Sequence, residues 1–198
     1  MVAAGRALCN SGGMKLILAS MSPWRKKILA TTGIPFTVEE SGYKENMNLR
    51  LPPRVLARCL ALGKAEAVAR RHPDAVVIGA DTFAVFRGKL LGKPHTNARA
   101  TLMLRMLSGK THTLLTGFAI LDSKTGRHIS KTVGTRITFR KLSPEEIAEY
   151  VKTGEPLKVA GAYAIQGQGV TLIEKMKGDL NNVAGFPLAA VLEALKSF

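Results

Sequence analysis

The chain has 198 residues, of which 46% are hydrophobic, enough apolar material to bury the core of an ordinary enzyme domain. Its formal net charge of +15 predicts an anionic partner, which nucleic acid, a membrane surface or a phosphorylated small molecule would satisfy equally well. No apolar run approaches the roughly 18 residues of a membrane-spanning helix, so we expect no membrane span. The two cysteines, Cys9 and Cys59, show neither metal-ligand nor disulfide spacing, which predicts a reducing compartment and a cytoplasmic protein.

Strand and helix patterns alternate along the chain, as is typical of α/β proteins. Residues 1–14 are expected to form a disordered tail, and residues 15–198 a single domain. Apolar runs and turn signals predict strands at 15–19, 34–38, 75–80, 111–121, 128–139 and 170–174, and a hairpin over 83–91. Helical periodicity with capping and stop signals predicts helices at 23–32, 53–71, 96–107, 143–152 and 187–196. The polar stretch 39–52 is a candidate active-site loop.

The first predicted helix begins with a concentration of positive charge. Ser22 is a good N-cap and Pro23 a good first helical residue, but the cations Arg25, Lys26 and Lys27 follow. Each cation is disfavoured there by about 0.3–1 kcal/mol, because the amino end of a helix carries the positive end of the macrodipole. Free backbone N–H groups, a capping hydroxyl and Arg25 together predict a phosphate site. The alternative is a solvated basic helix start, and this segment alone does not separate the two.

An acidic side chain, Asp81, follows the most apolar predicted strand. Ligands of open α/β sheets lie outside the carboxyl ends of the strands, so Asp81 is placed to meet a metal ion or a water molecule. The alternative is an aspartate that starts a turn, which is common. Lys64 on the second predicted helix and Lys93 after the hairpin add cations from separate elements, although a lone lysine is usually a solvated surface charge.

Taken together, these segments resemble the Maf (septum-formation) family in order and content. The first half of the chain carries Leu18-Ala19-Ser20, Ser22-Pro23-Trp24-Arg25, Gly79-Ala80-Asp81-Thr82 and Gly92-Lys93-Pro94. The second half carries Leu107-Ser108-Gly109, His112, Thr116-Gly117, Gly154-Glu155-Pro156, Ala160-Gly161-Ala162-Tyr163-Ala164-Ile165-Gln166-Gly167 and Val183-Ala184-Gly185-Phe186-Pro187-Leu188. Each motif is short, but the ordered set runs from about residue 15 to the C-terminus and is highly specific.

The resemblance implies a two-lobed, inosine-triphosphatase-like α/β fold, in which helices flank a central mixed, twisted sheet and a cleft separates the lobes. It implies a nucleoside triphosphate pyrophosphatase that cuts NTPs between the α and β phosphates, giving NMP and pyrophosphate, with Mg²⁺ or Mn²⁺ as cofactor. The expected partner is the nucleotide, with no membrane and no specific nucleic acid. A homodimer is an open alternative to a monomer.

Carried over position by position, the resemblance also implies roles for individual residues. Those that would bind phosphate are Ser20, Arg25 and Lys64. Those that would act in catalysis are Asp81, Glu45 and Lys93, and Asp81 and Glu45 would also bind metal or activate water. These roles agree with the chemistry, because a triphosphate and its transition state need cations to spread charge and a carboxylate to orient and deprotonate water. Glu39 and Glu40 lie in the same predicted loop as Glu45 and are alternatives to it.

The specificity positions, Trp24, Thr82 and Gln166, give a divided answer. Most of the family has Arg where this chain has Trp24, and Trp there resembles the branch that acts on 7-methyl-GTP. Thr82 and Gln166 instead resemble the branch that acts on dTTP and UTP, although Lys158-Val159 replaces the Asp-Lys pair usual in that branch. Core packing with Ile28, one turn along the helix, is the alternative role for Trp24. We expect broad activity that includes pyrimidine triphosphates.

Two other functions stay open at this point. A non-enzymatic nucleic-acid-binding protein would account for the net charge, but only 6% of the residues are aromatic and no nucleic-acid-binding signature appears. A house-cleaning enzyme for deaminated purine triphosphates such as ITP would share the reaction, and a panel of nucleotides would distinguish it.

Overall fold

The computed structural model describes residues 15–46 and 51–198. The predicted N-terminal tail, residues 1–14, lies outside the described residues. The chain divides into two units. The first contains the described residues up to Asp81, together with 116–133 and 185–198, and the second contains 82–115 and 134–184.

The described residues alternate strands and helices. The strands are β1 (Lys15–Leu18), β2 (Thr37–Val38), β3 (Ala75–Phe86), β4 (Lys89–Leu91), β5 (Thr111–Asp122), β6 (His128–Phe139) and β7 (Ile173–Lys177). The α-helices are α1 (Pro23–Ala30), α2 (Pro53–Ala69), α3 (Asn97–Leu107), α4 (Pro144–Lys152), α5 (Leu180–Val183) and α6 (Leu188–Leu195). Short 3₁₀ segments occupy Glu155–Lys158, Ala160–Ala162 and Gln168–Leu172. In this part of the chain, no helix is both long and apolar enough to cross a membrane.

The strands form one mixed sheet in the order β2-β1-β3-β5-β6-β7, and β4 pairs with β3 beside this path. β1 runs parallel to both β2 and β3, with Leu18 opposite Val38 on one side and Ile78 on the other. β4 is antiparallel to β3, and β7 is antiparallel to β6. The parallel pairs need crossover connections, which α1 and α2 supply. The predicted α/β class, with a mixed central sheet and flanking helices, is confirmed.

In the first unit, apolar side chains cover both faces of the sheet. Because successive strand residues point to opposite faces, β1 and β3 divide their side chains between two clusters. One cluster contains residues of β1, β3, α1 and α6: Leu18, Ile78, Leu29, Val191 and Leu195. The other contains residues of β1, β3 and α2: Ile17, Val77, Ala61, Ala65 and Val68. A Cβ on Gly79 would lie 2.1 Å from the Ala61 carbonyl oxygen, so only glycine allows α2 to pack this closely on the sheet.

The second unit has a core of its own, in which His112 is buried. Its Nε2 lies 2.9 Å from the Tyr163 hydroxyl, and its ring meets those of Phe139 and Tyr163 edge to face. Burial lowers the pKa of His112 to about 4. The imidazole is therefore neutral at neutral pH and acts as a packing residue with one polar contact.

The position of Asp81 corrects one prediction. The sequence placed it directly after a strand that ends at Ala80, but β3 continues to Phe86. The extension exists because residues 84–86 pair with β4 across the turn Arg87-Gly88, where φ is 49° and 76°, as a tight hairpin requires. Asp81 therefore lies within a strand. It still lies beyond Ile78, the last residue of β3 that pairs with β1, and so past the carboxyl end of the parallel pair.

Three smaller differences have local causes. The predicted strand 34–38 is reduced to Thr37–Val38, since Pro35 has no N–H for a sheet ladder. The predicted strand 170–174 begins only at Ile173, because residues 168–172 form a 3₁₀ segment in which Thr171 Oγ1 donates to the Gln168 carbonyl at 2.8 Å. The helix Leu180–Val183 was not predicted, because four residues are too few to show helical periodicity.

Candidate active site

The amino end of α1 holds a fixed guanidinium group. Ser22 caps the helix, and its hydroxyl accepts from the Arg25 backbone N–H at 3.5 Å. The Arg25 side chain donates from Nη1 to Ser20 Oγ at 3.0 Å and from Nε to the Gly185 carbonyl at 2.9 Å. No acidic residue lies in the first turn. Ser20 and Arg25, the predicted phosphate ligands, therefore meet at a helix start that favours an anion.

A second cluster forms where Asp81 faces α2. Lys64 Nζ lies 2.6 Å from Asp81 Oδ1 and 2.7 Å from Glu45 Oε1. The side chains of Lys64 and Asp81 are 12% and 11% exposed, and that of Glu45 is 38% exposed. Glu39, an alternative to Glu45, pairs instead with Arg71. A nearly buried ammonium group therefore bridges two carboxylates that are distant in sequence.

Burial and neighbouring charges set the protonation of these groups. Loss of water contacts raises the pKa of Asp81 above its usual value, the ammonium of Lys64 opposes that shift, and Glu45 adds to it. Burial lowers the pKa of Arg25, and the negative charges of Asp81 and Glu45 oppose the change. Because the charges of Asp81 and Glu45 affect the pKa of Arg25, the helix start and the Lys64 cluster belong to one electrostatic site.

The carboxylates of this site fit a divalent cation. Asp81 Oδ2 is buried and has no hydrogen-bond partner among the described residues, an expensive arrangement unless a cation or donor satisfies it. Within residues 15–46 and 51–198, no group of three or more His, Cys, Asp or Glu side chains forms a complete metal cage. Two carboxylates, with the other positions left to water and phosphate, are the usual protein contribution to a Mg²⁺ site in nucleotide enzymes. The residues therefore suit a cation shared with a polyphosphate.

The other candidates belong to the second unit. Thr82 follows Asp81 directly on β3 and is half-buried. Lys93 is exposed and lies between β4 and α3. Gln166 is half-buried and lies between two 3₁₀ segments. The roles of these three stay predictions from the resemblance.

The segment that carries Gln166 is tied to a carboxylate and a phenol that the sequence analysis gave no role. Glu155 accepts the backbone N–H groups of residues 168–169, both at 3.0 Å, and the Tyr150 hydroxyl at 2.7 Å. The Tyr150 oxygen accepts the Ala164 N–H at 3.1 Å. Burial alone would raise the pKa of Glu155, but these donors hold it below its usual value. The segment is thus fastened on both sides of Gln166.

Trp24 is not a core residue. The residue is 41% exposed, and Lys27 Nζ lies 5.7 Å from the centroid of its ring. The alternative role, core packing with Ile28, is therefore wrong. The indole carries a cation on its surface and is available to a ligand.

Fold and site together define an α/β protein with a basic, serine-capped helix start and a carboxylate–ammonium cluster past the end of a parallel strand pair. The sequence model of the Maf-like protein family matches residues 15–198, and the chain belongs to that family. The family predicted from the motifs is confirmed.

Curated relatives span almost the whole chain. A dTTP/UTP pyrophosphatase from Moorella thermoacetica is 48% identical over 184 residues, which cover 93% of this chain and 95% of the relative. Proteins of the same name from Bacillus velezensis and Thermoanaerobacter sp. are 44% and 41% identical, over 93% and 92% of this chain and 96% of each relative. A solved structure, the nucleoside-triphosphatase / dITP/XTP pyrophosphatase of Mycobacterium abscessus, is a distant likeness with a TM-score of 0.43 and 13% identity, over 65% of this chain and 76% of its own.

Proposed function

We propose that the chain is a nucleoside triphosphate pyrophosphatase that acts on dTTP and UTP and releases NMP and pyrophosphate. Family membership supports the class of reaction, and relatives named dTTP/UTP pyrophosphatase at 41–48% identity support the substrate. The observation that carries the proposal is the Lys64 ammonium group between the Asp81 and Glu45 carboxylates. This arrangement offers a base and a cation to the same polyphosphate.

Asp81 is the proposed general base. Because burial raises its pKa while Lys64 favours its charged form, Asp81 is a stronger base than an exposed aspartate. It accepts a proton from the attacking water as the new oxygen–phosphorus bond forms at the α-phosphorus. The bond from that phosphorus to the bridging oxygen breaks, and pyrophosphate leaves with the electron pair. Lys64 and Arg25 offset the charge that develops on the phosphate oxygens.

Membership of the family implies a divalent-metal-dependent hydrolase, and we propose Mg²⁺ or Mn²⁺ as the cofactor. Asp81 and Glu45 would hold the cation, which when bound offsets the repulsion between carboxylates and phosphates. Activity should be lost in excess EDTA and return with either metal. Full activity in EDTA would contradict this part of the proposal.

The remaining roles are proposed for each residue from the resemblance to the family. Ser20 and Arg25 bind phosphate, and Lys93 contributes a further cation. Thr82 and Gln166 contribute to substrate specificity, and Gln166 lies near the base or sugar. Residues 15–198, the span that the family model matches, form the catalytic domain. A cytoplasmic location agrees with Cys59, an exposed and free thiol in the described part of the chain.

The decisive test is Asp81→Asn. The substitution keeps the shape of the side chain and removes the base, so pyrophosphate release should disappear while the melting temperature stays within a few degrees of the parent. Asp122→Asn is the matched control, because Asp122 ends β5 in the same unit and accepts from Lys124 and Thr125 of the exposed turn that follows. Near-normal turnover by Asp81→Asn would rule out the mechanism.

A second candidate substrate, 7-methyl-GTP, is favoured by the exposed indole of Trp24. Its cationic base would gain about 0.5–2 kcal/mol by stacking on the ring. Lys27 already lies over that ring, however, and a second cation there would be repelled. We therefore expect UTP and dTTP to exceed 7-methyl-GTP in kcat/KM. The comparison includes CTP, GTP and ITP, and the variants Trp24→Arg and Lys27→Gln. A preference for 7-methyl-GTP that Trp24→Arg removes would reverse the substrate assignment.

A further inference from the structure

The loop between β2 and α2 is fastened at its start by Arg71, which lies just beyond the end of α2. Arg71 Nε donates to Glu39 Oε1 at 2.6 Å, and Nη2 donates to the Glu40 carbonyl at 2.7 Å. Its Nη1 donates to the Ala67 carbonyl at 2.9 Å, which ties the guanidinium to the last turn of α2. One arginine thus joins the first residues of the loop to the helix.

The same loop meets α2 a second time at Tyr43. Gly42, with φ of 62°, turns the chain, and Ser41 Oγ accepts the Tyr43 N–H at 3.3 Å. A Cβ on Gly63 would lie only 2.5 Å from Tyr43 Cζ, and 2.7 Å and 2.9 Å from the two Cε atoms. Carbon atoms in contact prefer separations of about 3.5–4.0 Å. The Tyr43 ring therefore lies directly on the backbone of α2, at a position where only glycine leaves room.

This contact lies within two residues of the Lys64–Glu45 pair on both elements. Tyr43 is two residues before Glu45 in the loop, and Gly63 directly precedes Lys64 in the helix. Glycine inside a helix costs about 1 kcal/mol relative to alanine. The glycine at residue 63 leaves room for the aromatic ring of the loop to pack on the helix. The next helix residue carries the ammonium group that lies 2.7 Å from the Glu45 carboxylate.

We infer that Tyr43, packed on Gly63, positions the Glu45 carboxylate against Lys64 and Asp81, with Arg71 fixing the start of the loop. The inference rests on the proposed function, because it assumes that Glu45 takes part in the reaction. Tyr43 and Arg71 are positioning residues. They act on Glu45 through the backbone of the loop.

Gly63→Ala separates this role from stability. The added methyl group must displace the Tyr43 ring by about 1 Å, while alanine favours the helix. The melting temperature should stay equal or rise. The kcat should fall on the order of 10- to 100-fold, as expected when a catalytic group moves by about 1 Å, with a smaller change in KM. Cys59→Ala, an exposed position one turn earlier in α2, is the control and should leave kcat unchanged.

Two pairs of variants test the anchors separately. Tyr43→Phe keeps the ring and should retain kcat, whereas Tyr43→Ala should lose it as Gly63→Ala does. Arg71→Gln should lower kcat because the loop loses its donors to Glu39 and Glu40. Arg70→Gln removes the same charge from the neighbouring exposed residue and should have no effect.

Trypsin cleavage after Lys44, followed by mass spectrometry, reports on the loop without reference to catalysis. Cleavage should be several-fold faster in Gly63→Ala, Tyr43→Ala and Arg71→Gln than in the parent and the controls. Faster cleavage with unchanged kcat would overturn the inference. Unchanged cleavage in Gly63→Ala would overturn it as well, and both outcomes would leave the proposed function intact. If the unchanged chain releases no pyrophosphate, the proposed function fails instead, and the cleavage rates still decide whether Tyr43 and Arg71 anchor the loop.

Discussion

Lys64→Met should destabilise the chain because it leaves the Asp81 carboxylate buried without its partner. Removing one member of a buried ion pair costs about 3–5 kcal/mol. We expect the lower end, since Glu45 is partly exposed and Asp81, whose pKa burial already raises, can take up a proton. For a chain of this size, about 3 kcal/mol corresponds to a fall in melting temperature of roughly 6–12 °C. The loss should shrink as the pH falls, because the folded variant then binds that proton more readily than the unfolded chain does.

The assay is thermal unfolding of the parent, Lys64→Met, Asp81→Asn and the double variant. Adding Asp81→Asn should restore most of the stability that Lys64→Met loses, which gives a coupling energy of about 2–3 kcal/mol. Lys124→Met is the control: it removes an exposed pair, 3.8 Å from Asp74, and should change stability little. Additive losses in the double variant, or an unchanged melting temperature in Lys64→Met, would refute the reasoning.

Two further predictions concern the second unit. Glu155→Gln should loosen the segment that carries Gln166 and so change the kcat/KM ranking of nucleotides. Glu146→Gln is the control, because its carboxylate also accepts a backbone N–H, and it should leave the ranking unchanged. An unchanged ranking in Glu155→Gln would count against a role for Glu155 in substrate selection. The pKa of His112 is 6.5 in the unfolded chain and about 4 in the folded one, so the unfolded chain takes up a proton at higher pH. The free energy of unfolding should therefore decrease by about 3 kcal/mol as the pH falls from 6.5 to 4. In His112→Gln, the free energy of unfolding measured in urea should lack this part of its pH dependence. A pH dependence equal to the parent's would contradict a lowered pKa for His112.

Local signals were sufficient for most of the fold. The helix predicted at 53–71 is Pro53–Ala69, and the strand predicted at 128–139 is His128–Phe139, because periodicity, prolines and turn residues mark both ends of each. β3 was predicted too short because its last residues owe their conformation to the partner strand β4. A strand end set by pairing has no local marker in the sequence.

The site was predictable to a different degree for each residue. The chemistry of a helix start indicated Arg25 and that of a strand end indicated Asp81, even though the strand proved longer. Lys64 looked like any surface lysine, because its role depends on how closely α2 packs on the sheet at Gly79. Tyr43 had no sequence signal, since one aromatic residue in a polar loop is ordinary.

The net charge of +15 neither identifies the anionic partner nor locates the candidate site. The candidate cations Arg25, Lys64 and Lys93 are nearly balanced by Asp81 and Glu45, so most of the excess charge lies elsewhere in the chain. The electrostatic field of this positive charge speeds the approach of any polyphosphate, whether the partner is a nucleotide or a nucleic acid. Salt screens this field over about 8 Å. A surface that only binds anions would gain nothing from two carboxylates beside a buried ammonium, because they repel phosphate. That cluster, more than the charge, argues for an enzyme over a nucleic-acid-binding protein.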